Sequence, residues 1–228
     1  MKNAFTLAEV LITLGIIGVV AASTIPNIVK KYRVKVLEAQ FKVAYNTIIN
    51  ANNKMYADDP GMFSTIGGPG EEGWAWTRKY GQLLPKYYKV MKYVDKNEFK
   101  NTPMYTSNGH AHNYKDKFLI YFSPVILTNG MLITITTTTL GNLCIYFDTN
   151  GPYKGPNRYG YDLFMLTILP NGKLSNIRPS DAYCSFRKSA ATWYVQGIDC
   201  SYWAIRDLNP DHYHYYSKIK KYWEALEF

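Results

Sequence analysis

The chain opens on a long apolar run, Phe5 to Ile25, in which Glu9 is the only ionisable side chain. As a helix this run would measure about 32 Å, close to the hydrocarbon thickness of a bilayer. Helical periodicity continues past Pro26 as a stripe of Val29, Tyr32, Val36, Ala39 and Val43, with Leu37, Phe41, Ala44, Tyr45 and Ile48 beside it. The pattern predicts one helix from Phe5 to about Met55, lipid-compatible in its first half and amphipathic in its second. Periodicity breaks at Asp58-Asp59-Pro60-Gly61, and Ile66 to Gly73 is a glycine-rich loop. Trp74 to Tyr80 and Leu83 to Val94 are expected as short helices rich in Tyr and Lys.

From Phe118 onward the period becomes that of strands: Phe118 to Phe122, Val125 to Leu127, Met131 to Thr137, Leu143 to Phe147 and Leu163 to Leu169. Asn129-Gly130 and Asn171-Gly172 are hairpin signals, because both residue types tolerate positive φ. Met131, Ile133 and Ile135 share one face while Thr134, Thr136 and Thr138 share the other, which predicts a buried side and a wet side. An antiparallel sheet packed on the amphipathic half of the long helix follows, an α+β arrangement.

The first segment also fits an ordinary secretory signal, with Lys2 before the apolar run and Ala21-Ala22-Ser23 as a cleavage site. Glu9 and the continuing helical pattern argue against it. A carboxylate in lipid costs about 2 kcal/mol or more unless partnered, and a disposable signal has no use for one. Lys30, Lys31, Arg33 and Lys35 follow the run, against a lone Lys2 before it. The positive-inside rule by itself would therefore place the C-terminal flank in the cytoplasm.

Lys2-Asn3-Ala4-Phe5-Thr6-Leu7-Ala8-Glu9-Val10-Leu11-Ile12 resembles the cleavage and methylation segment of type IV pilins and of the pseudopilins of type II secretion. Gly15, Gly18 and Pro26 fall where that family has helix-loosening residues, and Ala4 stands where it usually has Gly. The resemblance covers about the first fifty residues. It implies a pilin-like fold, a long N-terminal helix leaning on a meander of about four strands. It further implies a leader of residues 1–4, a membrane and assembly half of the helix over 5–26, and a globular head over 27–228. A prepilin peptidase would cut between Ala4 and Phe5 and N-methylate the new Phe5 amine. Glu9 would then pair with that amine on a neighbouring subunit, as a buried carboxylate requires an opposite charge. The implied partners are the peptidase/methylase, other pilin or pseudopilin subunits, an assembly platform protein with its ATPase, and membrane lipid. The implied location is the bacterial inner membrane, single-pass with the head outside the cytoplasm, and then a periplasmic or surface filament.

The loop from Asp148 to Asp162 resembles a D-x-N-G…P-N…G-x-D loop of pseudopilin-like proteins. Asp148, Asn150, Asn157 and Asp162 are its candidate calcium ligands, though calcium takes six to eight oxygens and only two carboxylates are present. An ordered turn held by Asx hydrogen bonds is the other reading. No other cofactor is expected. Cys184 and Cys200 could be bridged, worth about 3 kcal/mol in an oxidising compartment, or both could be free; Cys144 reads as a buried thiol.

Composition adds one alternative. The formal charge of +9 favours an anionic partner. Tyr and Lys interleave at Lys79-Tyr80, Lys86-Tyr87-Tyr88-Lys89, Lys92-Tyr93 and Lys220-Lys221-Tyr222-Trp223. Such runs suit nucleic acid or another anionic polymer, as in a DNA-uptake or adhesion pilin, or else form a solvated face. His110 with His112 and His212 with His214 have no nearby cysteine or carboxylate cluster apart from Asp211, so they read as surface histidines, and Gly68 to Gly73 matches G-x-G-x-x-G with Pro69 and two glutamates where a pyrophosphate would lie. No H-E-x-x-H, G-x-S-x-G, Walker A or C-x-x-C motif occurs, so nothing in the sequence supports an enzyme.

Overall fold

A computed structural model describes residues 6–64, 71–95, 97–99, 101–113, 122–137, 143–175, 184–187, 197 and 200–228. The apolar and amphipathic segments form one unbroken helix, α1 (Leu7–Asp58), that runs through Pro26. The Asp59 amide donates to the Met55 carbonyl at 3.0 Å, and Pro60 follows, so the backbone cannot continue the helix in register. A short α2 (Pro60–Ser64) and then α3 (Glu71–Tyr87) come next. The two helices expected over 74–80 and 83–94 are thus a single helix with Pro85 in its last turn, and Val90–Tyr93 is instead strand β1. Its partner, β4 (Phe122–Leu127), lies more than thirty residues along the chain, where local periodicity carries no trace of it.

Two small strands, β2 (Pro103–Tyr105) and β3 (Ala111–Asn113), pair with each other. The main sheet adds β5 (Leu132–Thr137), β6 (Leu143–Asp148), β7 (Leu163–Ile168) and β8 (Leu174–Ser175). Among the described residues it has six strands in the order β1-β4-β5-β6-β7-β8, every neighbouring pair antiparallel. The expected meander of about four strands is therefore extended by an edge strand at each end. Both Asn-Gly turns form, with φ of +87° at Gly130 and +72° at Gly172. Part of the expected 118–122 strand, Thr138 and the glycine-rich residues 65–70 lie outside the described residues.

The main core lies between α1 and one sheet face. Leu37, Phe41, Ala44, Ile48 and Met55 meet Ile133, Ile145, Phe147, Phe164 and Leu166, with Tyr80 and Leu84 of α3 beside them. Phe41 is the centre of this contact, its ring 4.5 Å from that of Phe164 and 5.5 Å from that of Trp223. The buried stripe of α1 is offset by one residue from the one the periodicity picked out first, since Val29, Tyr32 and Val43 are exposed.

The opposite sheet face is not wet. Leu132, Cys144, Tyr146, Leu163 and Met165 pack there in a second core with Val94, Phe99, Met104 and Tyr159. Thr134, Thr136 and Thr167 are buried on that same side. Alternation along a strand reports which residues share a face, whereas whether a face is covered depends on distant chain. Here Val94 and Phe99, from the stretch between β1 and β2, with Met104 of β2 and Tyr159, supply part of the cover.

Candidate functional site

Among the described residues one helix is long and apolar enough to cross a membrane, and none of its apolar window is buried. Every residue from Thr6 to Val36 is at least partly exposed, while Leu37 begins the core stripe. The polar side chains of this exposed half bond back to its own backbone. Thr13 donates to the Glu9 and Val10 carbonyls at 2.9 Å, Ser23 and Thr24 donate to the Val20 carbonyl, and Asn27 donates to the Ser23 carbonyl. In lipid this matters because no water is present to take an unpaired donor. Gly15 and Gly18 have open space around the position of a Cβ, so nothing in their own chain requires glycine there.

Ala4 and Phe5, the candidate cleavage pair, lie outside the described residues. Glu9 is placed at the start of α1 as the third residue of a capping box. Its Oε2 accepts from the Thr6 amide and the Thr6 hydroxyl, both at 2.8 Å, and Thr6 Oγ1 accepts from the Glu9 amide at 3.3 Å. Four amides at a helix start lack intrahelical acceptors, and a Thr-x-x-Glu pair satisfies two of them. In the single chain the carboxylate therefore caps its own helix.

The 148–162 loop brings its four candidate ligands together as anchors for the backbone. Asp148 Oδ1 accepts from the amides of Asn150 at 3.2 Å and Gly151 at 2.8 Å. Asp162 accepts with both oxygens, from the Asn157 amide at 2.8 Å and the Arg158 amide at 2.7 Å. Burial, and then the nearby Asp148 charge, push the Asp162 carboxyl well above the usual carboxylate range, while these amide bonds pull it partly back. Asn157 donates to the Pro103 and Pro152 carbonyls, and Asn150 to the Gly155 carbonyl, while among the described residues the buried amide oxygens of both have no donor. The oxygens are of the kind calcium takes, but Asp162 is spent on the turn. Among the described residues no group of three or more His, Cys, Asp or Glu could hold a metal.

Cys184 and Cys200 are joined as a disulfide, and Cys144 is a buried free thiol whose sulfur lies 3.6 Å from the Thr167 hydroxyl. The bridge holds the 184–187 segment against the C-terminal region. There Asp211 accepts from the Ser185 hydroxyl at 2.6 Å and the Phe186 amide at 2.9 Å. Tyr222 donates to the Gly160 carbonyl at 2.7 Å, and Trp223 reaches the core beside Phe41. Neither ring carries a periodic signal in the sequence, because the last segment is irregular apart from two helices of seven and six residues and one turn of 3-10 helix.

The interleaved Tyr and Lys runs separate on folding. Tyr80, Tyr88, Tyr222 and Trp223 are buried, so they offer no ring for stacking bases. Lys86 pairs with Asp58 at 2.9 Å and Lys92 pairs with Glu98, so part of the positive charge is answered locally. His110 is exposed and His212 bonds the Ser217 carbonyl through Nδ1; the side chains of His112 and His214 lie outside the described residues. No family model, curated protein or solved structure matches the chain.

Proposed function

We propose that this chain is a structural subunit of a membrane-assembled filament of the type IV pilin or type II secretion pseudopilin kind. The observation that carries the proposal is the division of one continuous helix between two surroundings. Its first half holds an apolar window of which nothing is buried among the described residues, and its second half supplies a buried stripe to the core of a folded head. A simple anchor needs no rigid continuity with the core, but a subunit that must leave lipid and pack helix against helix does. The exposed stripe of Val29, Tyr32 and Val43 continues the apolar surface along the head, and the open surroundings of Gly15 and Gly18 let neighbouring helices approach closely.

In this reading a prepilin peptidase cuts after Ala4 and methylates the Phe5 amine, and the subunit waits in the bacterial inner membrane with its head outside the cytoplasm. A platform protein and ATPase then insert it into a filament. Glu9 exchanges its cap on Thr6 for the cationic Phe5 amine of a neighbour, since an enclosed carboxylate among apolar helices requires an opposite charge. The chain does structural work and no catalysis.

N-terminal mass spectrometry of membrane-extracted protein is expected to find Phe5 at the terminus; a terminus near Ser23 would overturn the proposal. Crosslinking at matched membrane levels is expected to give fewer multimers from Glu9→Ala than from wild type, with cleavage and head fold unchanged. Equal multimer yields would remove Glu9 from assembly.

A further inference from the structure

A cleft of about 810 Å³ lies where the membrane half of α1 gives way to the head. Lys30, Lys31 and Lys35 line it from the helix, and Lys221 from the C-terminal segment, with Tyr32 and Trp223 among its walls. Three carboxylates also line it, and each is engaged elsewhere or weakly. Glu38 pairs with Lys42, Asp207 accepts the Trp223 amide at 3.3 Å, and Glu224 stands 3.7 Å from Lys221 with both side chains largely exposed. Among the described residues Lys30, Lys31 and Lys35 have no carboxylate within ion-pair distance. The cleft thus carries the unanswered positive charge of three helix lysines, and beside them, from a region far apart in sequence, an exposed Lys221 that Glu224 answers only at 3.7 Å.

Its depth is set by the helix. Lys30 and Lys31 lie about 8 Å beyond Ile25 along the axis, which is where the polar headgroup layer begins once the apolar run fills the hydrocarbon. Lys35 lies about 15 Å beyond, within reach of the same layer because a lysine stem can lean back toward it. Tyr32, which is exposed, is a residue type that favours this boundary.

We propose that this cleft holds the phosphate headgroup of an anionic phospholipid, with Lys30, Lys31 and Lys35 on one side and Lys221 on the other. The site rests on the anchored reading of α1. It differs from general attraction of a basic flank because Lys221 reaches the headgroup layer only through the tertiary fold. Bound lipid would set the tilt of the head against the membrane before assembly.

The test uses the full chain purified in neutral detergent, with phosphatidylglycerol or phosphatidylcholine added and retained lipid counted by native mass spectrometry. Phosphatidylglycerol is expected to be retained over phosphatidylcholine, with a loss of about fivefold for each of K35Q and K221Q. K173Q, at the exposed end of the Asn171-Gly172 turn, is expected to match wild type. Equal retention of the two lipids would overturn the site, as would K221Q behaving like wild type while K30Q and K31Q lose lipid. Alkaline carbonate extraction of native membranes separates the two levels. Wild type released by carbonate would remove the anchor itself, whereas wild type retained with no effect of K221Q removes only the cleft.

Discussion

The two halves of α1 have similar helical geometry and opposite environments. From Thr6 to Val36 no side chain is buried, and the helix is held by its own hydrogen bonds and its capping box. From Leu37 to Met55 one stripe is enclosed by a sheet face, by Tyr80 and Leu84 of α3 and by Trp223. The hydrophobic residues of the first half point in every direction, so they would be costly in water, and those of the second point one way, so they direct packing. Apolar content alone does not distinguish a residue that anchors from one that folds. Its angular distribution around the helix does.

Separating the halves is the largest perturbation. A chain beginning at Asn27 is expected to leave the membrane fraction while keeping a β signal by circular dichroism. Residence in the membrane pellet, or loss of that signal, would show that the halves are not independent. Within the second half, Phe41→Ala is expected to destabilise the head by about 3–5 kcal/mol in denaturant unfolding, because it empties the contact among Phe147, Phe164 and Trp223. Leu14→Ala, in the first half, is expected to leave the same transition unmoved, since Leu14 is exposed.

Reduction of the Cys184–Cys200 bridge comes next. It closes a loop with a sequence separation of 16, which corresponds to about 3 kcal/mol, so reductant is expected to lower the melting temperature of the head. An unchanged melting temperature would mean that the Asp211 contacts and Trp223 packing hold the C-terminal region unaided.

The smallest effect is a pH slope. The folded Asp162 carboxyl titrates above its unfolded value, so its contribution is fully present below the ordinary carboxylate range and is lost as pH rises through the raised value. Wild type is therefore expected to lose stability relative to Asp162→Asn as pH increases through that window, read from melting temperatures across a pH series. Parallel curves would show that Asp162 is ionised in the folded state at no cost. A cation bound between Asp148 and Asp162 would produce the same flattening in wild type when calcium is added.

Much of the fold can be read along the chain. The pattern predicts a helix from Phe5 to about Met55 and α1 runs from Leu7 to Asp58, because one apolar run and one amphipathic run are joined with no break but Pro26. The two Asn-Gly hairpins follow from the positive φ that their turns demand. Val90-Met91-Lys92-Tyr93 has no distinctive alternation and reads locally as the end of a helix, and only pairing with β4 makes it strand β1. For the candidate site, Glu9 and its spacing from Thr6 are visible locally, as is the basic flank after the span. Lys221 and Trp223 are not, since nothing in the sequence says that the C-terminal segment returns to the head of α1.

What the sequence determined by itself is everything set by neighbours within a few residues. That includes the apolar length of the span, the capping pair Thr6 and Glu9, the turn positions, and the alternation that sorts each strand into two faces. Tertiary structure alone decided which faces are covered. Thr134 and Thr136 are buried on the sheet face that carries the second core, and Gly172 is needed twice, for its turn and because a Cβ there would overlap the Tyr56 ring of α1. Asn52, an unremarkable polar residue in a helix, is buried because it donates to the Gly172 carbonyl across 120 positions of chain. Local pattern specifies geometry because backbone and side-chain sterics act over a few bonds, while burial is a property of pairs of surfaces and exists only once distant segments have met.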